Sequence, residues 1–294
     1  MTGTNNKVSV IGLGVMGSAI ARAFIAKGFE VTIWNRDHTK AAPLIAKGAT
    51  LAANVSEAVE ASPVLVICVA DYKVTRKIFE AAGATAALNG RTIVQLSTGT
   101  PKEARELEVW AKQHGAHALN GDILAWPRQI GTDEATITVS GNENKFKLHE
   151  TVLKALGGSV SYLGEEAGAS AVQFSAVMAY LAGSWIGFTH GALIMENEGM
   201  RTDEFGALIE HISPILAVES RHMGTVIQHS QFTDPESTIQ TTGNDLHLLV
   251  QQAAEAGISS ELPKFAADIF QRAIDAGYGA EEHAAIIKVL RKPV

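Results

Sequence analysis

The chain is short of cysteine and has no surplus of positive charge. Its one cysteine in 294 residues, Cys68, allows no intramolecular disulfide. That fits a reducing compartment, so a cytoplasmic location is expected. Lysine and arginine number 24 against 31 aspartates and glutamates, giving a net charge of −7 with no basic cluster. This balance argues against nucleic acid as a partner. The ten histidines show no metal-ligand spacing, so no metal site is expected. No apolar run approaches the ~20 residues needed to cross a bilayer, and the short polar stretch Met1–Asn6 does not read as a signal peptide. No membrane association is therefore expected. What is present is a hydrophobic fraction of 46%, ample for a core, at a length that suits one large or two ordinary domains.

The most informative stretch begins with the apolar run Val8-Ser9-Val10-Ile11, which reads as a buried parallel strand. Gly12-Leu13-Gly14-Val15-Met16-Gly17 follows, a G-x-G-x-x-G turn, and then an amphipathic helix to about Lys27. In such a turn Gly12 permits the tight bend, Gly14 lets the backbone approach a pyrophosphate, and Gly17 allows close helix–strand packing. The helix start, with Leu13, Val15 and Met16, offers free N–H groups and partial positive charge to that pyrophosphate. The strand–turn–helix setting is what makes the pattern a dinucleotide site rather than a glycine-rich turn. A second strand, Glu30 to Trp34, leads into Asn35 and Arg36, with Lys40 one turn later. An NAD site usually places Asp or Glu at this point for the ribose hydroxyls. A guanidinium and an ammonium instead suit a 2′-phosphate, which favours NADPH. Asp37 opposes this unless it faces away, for example by capping the helix that begins near Thr39.

Strands are expected near 7–12, 30–34, 64–69, 92–96, 116–120, 134–140 and 159–163. Helices are expected near 15–28, 39–47, 55–60, 73–82, 102–114 and 143–156. Such alternation predicts an α/β fold: a Rossmann-type doubly wound parallel sheet with helices on both faces. Ligand loops belong at the carboxyl ends of the strands. They are the glycine turn, the stretch from Val69 through Ala70 to Tyr72, and Ser97-Thr98-Gly99-Thr100-Pro101. Beyond Gly164 the pattern becomes helical. A proline-free stretch rich in Ala, Gly and Ser reads as one long helix buried on more than one side. Helices near 203–212, 214–229, 238–256, 260–276 and 280–291 follow. The expected organisation is a cofactor domain over 1–165, an interdomain helix over 166–198, and an all-α domain over 199–294. The last piece is small and broadly apolar, which suggests burial against a second copy.

This layout resembles the β-hydroxyacid dehydrogenase superfamily and, within it, the imine reductase and reductive aminase branch. The match is carried by Ile11 to Gly17, Trp34-Asn35-Arg36, and Leu96-Ser97-Thr98-Gly99-Thr100-Pro101. Further matches are Gly121-Asp122-Ile123-Leu124-Ala125-Trp126-Pro127 with Ile130-Gly131, Tyr162-Leu163-Gly164 with Gly168, and Gln240 with Gly243-Asn244. The resemblance implies NADPH-dependent hydride transfer to a C=N bond of a small imine or amine-derived substrate. It also implies a C-terminal domain like that of 6-phosphogluconate dehydrogenase and a domain-swapped homodimer. Carried over by position, it implies cofactor contacts at Gly12, Gly14, Gly17, Asn35, Arg36 and Lys40, and at Thr98 beside the nicotinamide. Trp126, Met178 and Ala182 would line the substrate cleft, with Ile215 and Gln240 from the partner chain.

Hydroxyacid dehydrogenases carry a lysine early in the long helix as proton donor. This chain has no lysine between Lys154 and Lys264, which disfavours ketone and aldehyde reduction. Imine reductases usually carry aspartate or tyrosine there. The alignment from Gly168 puts Phe174 on that position, and Ala182 on a later tyrosine. Two readings stay open. An iminium ion is already cationic and needs no proton, and the face of Phe174 could stabilise it. Alternatively Tyr180 or Asp122 donates the proton. Phe174, Met178, Leu181 and Trp185 at helical spacing are equally what an ordinary core helix carries. The expected activity is reduction of cyclic imines or iminium ions without the usual acid. The alternatives are a hydroxyacid or aldehyde dehydrogenase of the same superfamily, or a non-catalytic NADP(H)-binding protein.

Overall fold

The computed structural model describes residues 6–291, in one compact unit through Ala179 and a second from Tyr180. In the first unit, eight strands form a single sheet. They are β1 (Lys7–Ile11), β2 (Glu30–Trp34), β3 (Thr50–Leu51), β4 (Val64–Ile67), β5 (Thr92–Gln95), β6 (His117–Leu124), β7 (Thr136–Gly141) and β8 (Ser159–Tyr162), in the order β3-β2-β1-β4-β5-β6-β7-β8. Chain order reverses between β1 and β4, the switch point at which open α/β sheets bind ligands. The connecting helices are α1 (Val15–Ala26), α2 (Ala42–Ile45), α3 (Val55–Glu60), α4 (Tyr72–Ala81), α5 (Pro101–Gln113), α6 (Glu143–Leu148) and α7 (Glu150–Lys154).

The central strands are continuous apolar runs because both faces are covered. Val64 and Val66 of β4 join a cluster with Ile20 and Phe24 of α1. Their neighbours Leu65 and Ile67 point the other way, into a cluster with Phe79 of α4 and Leu107 of α5.

Four expectations about the strands and helix boundaries need correction. The sheet is not wholly parallel: β6 and β7 run antiparallel, pairing Asn120 with Ser140 and Asp122 with Thr138. Strand β6 continues to Leu124 rather than stopping at 120, because ladder bonds to β7 hold Gly121 and Asp122 extended although they break the apolar pattern. The two-residue strand β3 was not expected; it pairs with β2 at the sheet edge, too short to show any period. The segment from 203 to 229 is one helix, not two.

The chain continues as α8 (Ala169–Asn197), α9 (Thr202–His229), α10 (Ile239–Glu255), α11 (Glu261–Ala273) and α12 (Ile287–Leu290). Helix α9 runs through Pro214. A mid-helix proline leaves the carbonyl four residues earlier without its N–H partner. Here that carbonyl belongs to Glu210, and the Ser213 hydroxyl donates to it at 2.8 Å. Helix α8 also revises the expectation about apolar runs. Over 29 residues it is long and apolar enough to cross a membrane by length and composition, and little of it is buried within the chain.

Helix α5 begins with a capping box next to the Ser97–Gly99 loop. Glu103 N–H donates to Thr100 Oγ1 at 3.2 Å, and Thr100 N–H donates to Glu103 Oε2 at 2.9 Å. Thr100→Ala removes one half of this pair. It should lower unfolding free energy by about 1 kcal/mol, read as a shifted urea midpoint with an unchanged slope.

Candidate active site

The site starts from two close approaches that only glycine allows. A Cβ on Gly12, whose φ is +98°, would lie 2.2 Å from the Cys68 carbonyl oxygen. One on Gly17 would lie 2.0 Å from the Gly12 carbonyl oxygen. These contacts press the turn against the end of β4 and seat α1 on the sheet. Gly14 differs, since a Cβ there would meet nothing within 4 Å. Its face is open toward a groove of about 490 Å³ at the carboxyl ends of β1, β2 and β4. Helix α1 begins at Gly14 with no side-chain cap, so its first N–H groups are free for an anion.

The groove gathers most of the expected cofactor residues: Gly12, Gly14, Val15 and Met16 on one side, Asn35, Arg36 and Lys40 on another, and Val69 and Ala70 below. Leu13 is placed differently. Its side chain is buried in the core, and its N–H donates to Asn35 Oδ1 at 2.9 Å. Asn35 in turn donates from Nδ2 to the Asp37 carbonyl at 2.8 Å. Asn35 is therefore the brace that ties the end of β2 to the glycine turn. Arg36 and Lys40 are exposed and form no salt bridge among the described residues. Asp37 is held by its own turn, accepting from Thr39 N–H at 3.0 Å and Thr39 Oγ1 at 2.6 Å. Those bonds, with a smaller contribution from the Lys40 charge, pull its pKa below the ordinary value, so Asp37 lines the groove as a carboxylate beside Arg36 and Lys40.

The groove has further walls that sequence reasoning missed: Val74 and Ile78 of α4, Trp34 and Cys68. The amphipathic spacing of α4 held the signal for Val74 and Ile78, but apolar side chains one turn into a helix read as core. Burial pushes the Cys68 thiol up to about 11, so it stands as the thiol rather than the thiolate near neutral pH. The β4 and β5 loops are joined where Val69 N–H donates to Ser97 Oγ at 2.9 Å. Thr98, the next residue, is exposed.

Asp122 lies on β6, only 6% exposed, with Ser170 of α8 beside its carboxyl group. Burial raises its pKa to about 6, and the nearby Ser170 hydroxyl, whose proton is directed at the Asn120 carbonyl, offsets part of that rise. Trp126 follows on the loop after β6. Its side chain is 55% exposed, and its N–H donates to Gln129 Oε1 at 2.8 Å. Phe174 and Met178 are half-buried on α8. Tyr180, Ala182, Ile215 and Gln240 belong to the second unit. There Tyr180 is 60% and Ile215 70% exposed, Ala182 is exposed, and Gln240 Nε2 donates to Asn244 Oδ1 at 3.2 Å.

Residues 7–164 match the family model for the NAD binding domain of 6-phosphogluconate dehydrogenase. Residues 166–292 match the model for the NADPH-dependent reductive aminase-like C-terminal domain. The NADPH-dependent reductive aminase of Aspergillus oryzae is 30% identical over 291 residues, covering 97% of each chain. An imine reductase from Myxococcus stipitatus, solved with NADP+, superposes with a TM-score of 0.92 at 31% identity, covering 97% of this chain and 99% of that one. A reductive aminase from Aspergillus terreus, solved with NADPH4, cyclohexanone and allyl amine, gives 0.91 at 31% identity over 98% of this chain and 100% of that one.

The position of Asp122 has a consequence for stability. Its folded-state pKa of about 6 lies above the ordinary carboxylate value. Between about pH 4 and pH 6 the folded chain therefore binds more protons than the unfolded one, and stability falls as pH rises through that window. Asp122→Asn removes the effect. The variant should match the parent near pH 4 and exceed it by up to about 3 kcal/mol above pH 7, measured by urea unfolding across the range.

Proposed function

The chain belongs to the reductive aminase and imine reductase family, and on that premise we propose that it uses NADPH to reduce cyclic imines and iminium ions. The observation that carries the cofactor part is the groove beside Gly14, with the unpaired cations Arg36 and Lys40 at its β2 end. The free N–H groups of α1 would hold the pyrophosphate. Arg36 would clamp the 2′-phosphate through paired N–H donors, with Lys40 adding charge. Thr98, on the β5 loop, would face the nicotinamide ribose. Bound there, NADPH supplies the hydride.

The pocket is proposed to be largely apolar, walled by Trp126, Phe174, Met178 and Ala182, with Ile215 and Gln240 contributed by a partner chain. Phe174 takes the place of the usual acid. Its ring face suits a cationic iminium carbon and nitrogen, and fixed positioning then does much of the catalytic work. Residues 1–165 would form the cofactor domain, 166–198 the linking helix and 199–294 the assembly domain. The partner is a second copy of this chain. Support comes from the apolar residues that α8 and α9 leave exposed, among them Trp185, Ile186, Leu208, Ile215 and Val218. A patch of that kind on adjacent helices marks an interaction surface. Sedimentation should give twice the chain mass, and a monomer at micromolar concentration would count against the shared pocket.

The activity is tested by following NADPH oxidation with 1-pyrroline and a dihydroisoquinoline, with glyoxylate and succinic semialdehyde in parallel. Turnover of the imines with little on the aldehydes is expected; turnover of the aldehydes alone would overturn the reading. Arg36→Ala should weaken NADPH binding by roughly 10- to 100-fold, the loss of a charge-assisted contact, while leaving NADH binding within about threefold. Fluorescence titration of both nucleotides reads the difference.

A further inference from the structure

Asp122 is a buried acid that the groove does not use. Strand β6 runs parallel to β5, with Gln95 paired to Asn120. Asp122 lies two residues further along β6, beyond the last β5 pair, and the chain after β5 turns at Ser97, where the loops of β4 and β5 meet. Side chains alternate along a strand, so Asn120 and Asp122 share one face with their cross-strand partners Ser140 and Thr138. The first turn of α8 lies against that face. Ser170 Oγ donates to the Asn120 carbonyl at 3.1 Å, and Ser140 Oγ donates to Ser170 Oγ at 3.1 Å. Around the carboxyl group the seam stays polar. Both amide atoms of Asn120 and the Thr138 hydroxyl are buried without a protein partner. No lysine, arginine or histidine pairs with Asp122 among the described residues. The other titratable groups nearby are the Tyr72 phenol at the start of α4, which feels the Asp122 charge, and Glu103 of α5, which is engaged by Thr100.

A carboxyl group with hydroxyl and amide neighbours but no cation can be held in either protonation state. A buried titratable group of this kind at the ligand end of a sheet is what proton-transfer chemistry uses. Ser170 stands four residues before Phe174 on α8, so the two share a helix face. The Asp122 carboxyl group thus adjoins the face that offers Phe174 where relatives offer an acid.

We propose that Asp122 supplies the proton taken up by the nitrogen when a neutral imine is reduced. This rests on the reductase reading above. In the step, the C=N carbon gains a hydride from the bound cofactor. The freed electron pair of the π bond takes the Asp122 proton to form an N–H bond, and the carboxylate is reprotonated from solvent. An N-alkylated iminium takes the same hydride and needs no proton.

The test compares Asp122→Asn with the parent on two substrates, at a pH above the imine's own pKa. One is a neutral dihydroisoquinoline and the other its N-methyl iminium salt. The variant should lose on the order of 10²- to 10⁴-fold in kcat on the imine and less than threefold on the iminium. The alkaline limb of the imine pH profile should disappear with the variant. An equal loss on both substrates, or none on either, would overturn the assignment while leaving the reductase reading intact. If the parent turns over neither substrate, both readings fall together. A second readout is independent of turnover: a carboxyl-carbon NMR titration of the cofactor-free chain. A resonance that titrates near pH 6 and is absent from Asp122→Asn supports the proposal, and an ordinary carboxylate titration contradicts it.

Discussion

Everything in the first unit depends on backbone meeting backbone at the end of β4. The Gly12 turn can pass the Cys68 carbonyl only without a side chain, and α1 can descend onto that turn only because Gly17 also lacks one. Packing of this kind admits no small adjustment, because a Cβ there would overlap carbonyl oxygens rather than a movable side chain. Once the approach is made, the remaining geometry follows. The start of α1 is forced to the sheet edge with its N–H groups uncapped, and the groove opens on the side where Gly14 faces nothing.

Asn35 shows how one residue serves this constraint. Its carboxamide accepts from Leu13 N–H and donates to the Asp37 carbonyl, so the glycine turn and the end of β2 are fixed to each other. An aspartate at this position could accept but not donate. The choice of amide therefore keeps the loop braced while adding no negative charge beside Arg36. Asp37, which does add charge, spends its Oδ1 on Thr39. The electrostatic character of the groove is thus shaped by hydrogen bonds of the residues that line its β2 end.

Much of this was legible in the sequence because it is local. The glycine spacing, the continuous apolar runs of β1, β4 and β5, and the Asn35-Arg36 pair each sit within a few residues of chain. What was not legible is what depends on distant partners. Nothing near Gly121 and Asp122 announces a strand, since a glycine and a buried charge interrupt the apolar pattern; only the ladder with β7 holds them extended. The antiparallel direction of β7 is likewise invisible locally. Pro214 carries a strong breaker signal, overridden by a hydroxyl one residue away that satisfies the carbonyl the proline abandons. The apolar groove walls Val74 and Ile78 were unreadable for the opposite reason: as isolated side chains they look the same in a core and in a cofactor site.

Helix α8 carries the same ambiguity to the scale of a whole element. Its length and composition would serve in a bilayer, yet an all-round apolar helix reports only that water is excluded from its sides, not what excludes it. Three of its hydroxyls suit either setting. The hydroxyls of Ser175, Ser184 and Thr189 all turn back to carbonyls one turn earlier, at 2.8, 3.0 and 2.9 Å, so they ask nothing of the surroundings. The glycines distinguish the positions better. Gly191 is already covered, since a Cβ there would lie 2.7 Å from the Phe205 ring of α9, whereas at Gly183 and Gly187 it would meet nothing within 4 Å among the described residues. Small residues one turn apart on an exposed, apolar helix allow another helix to approach closely. The exposed apolar residues of α9, whose Phe205 ring stacks on Phe188 of α8, extend the surface that such a neighbour would cover.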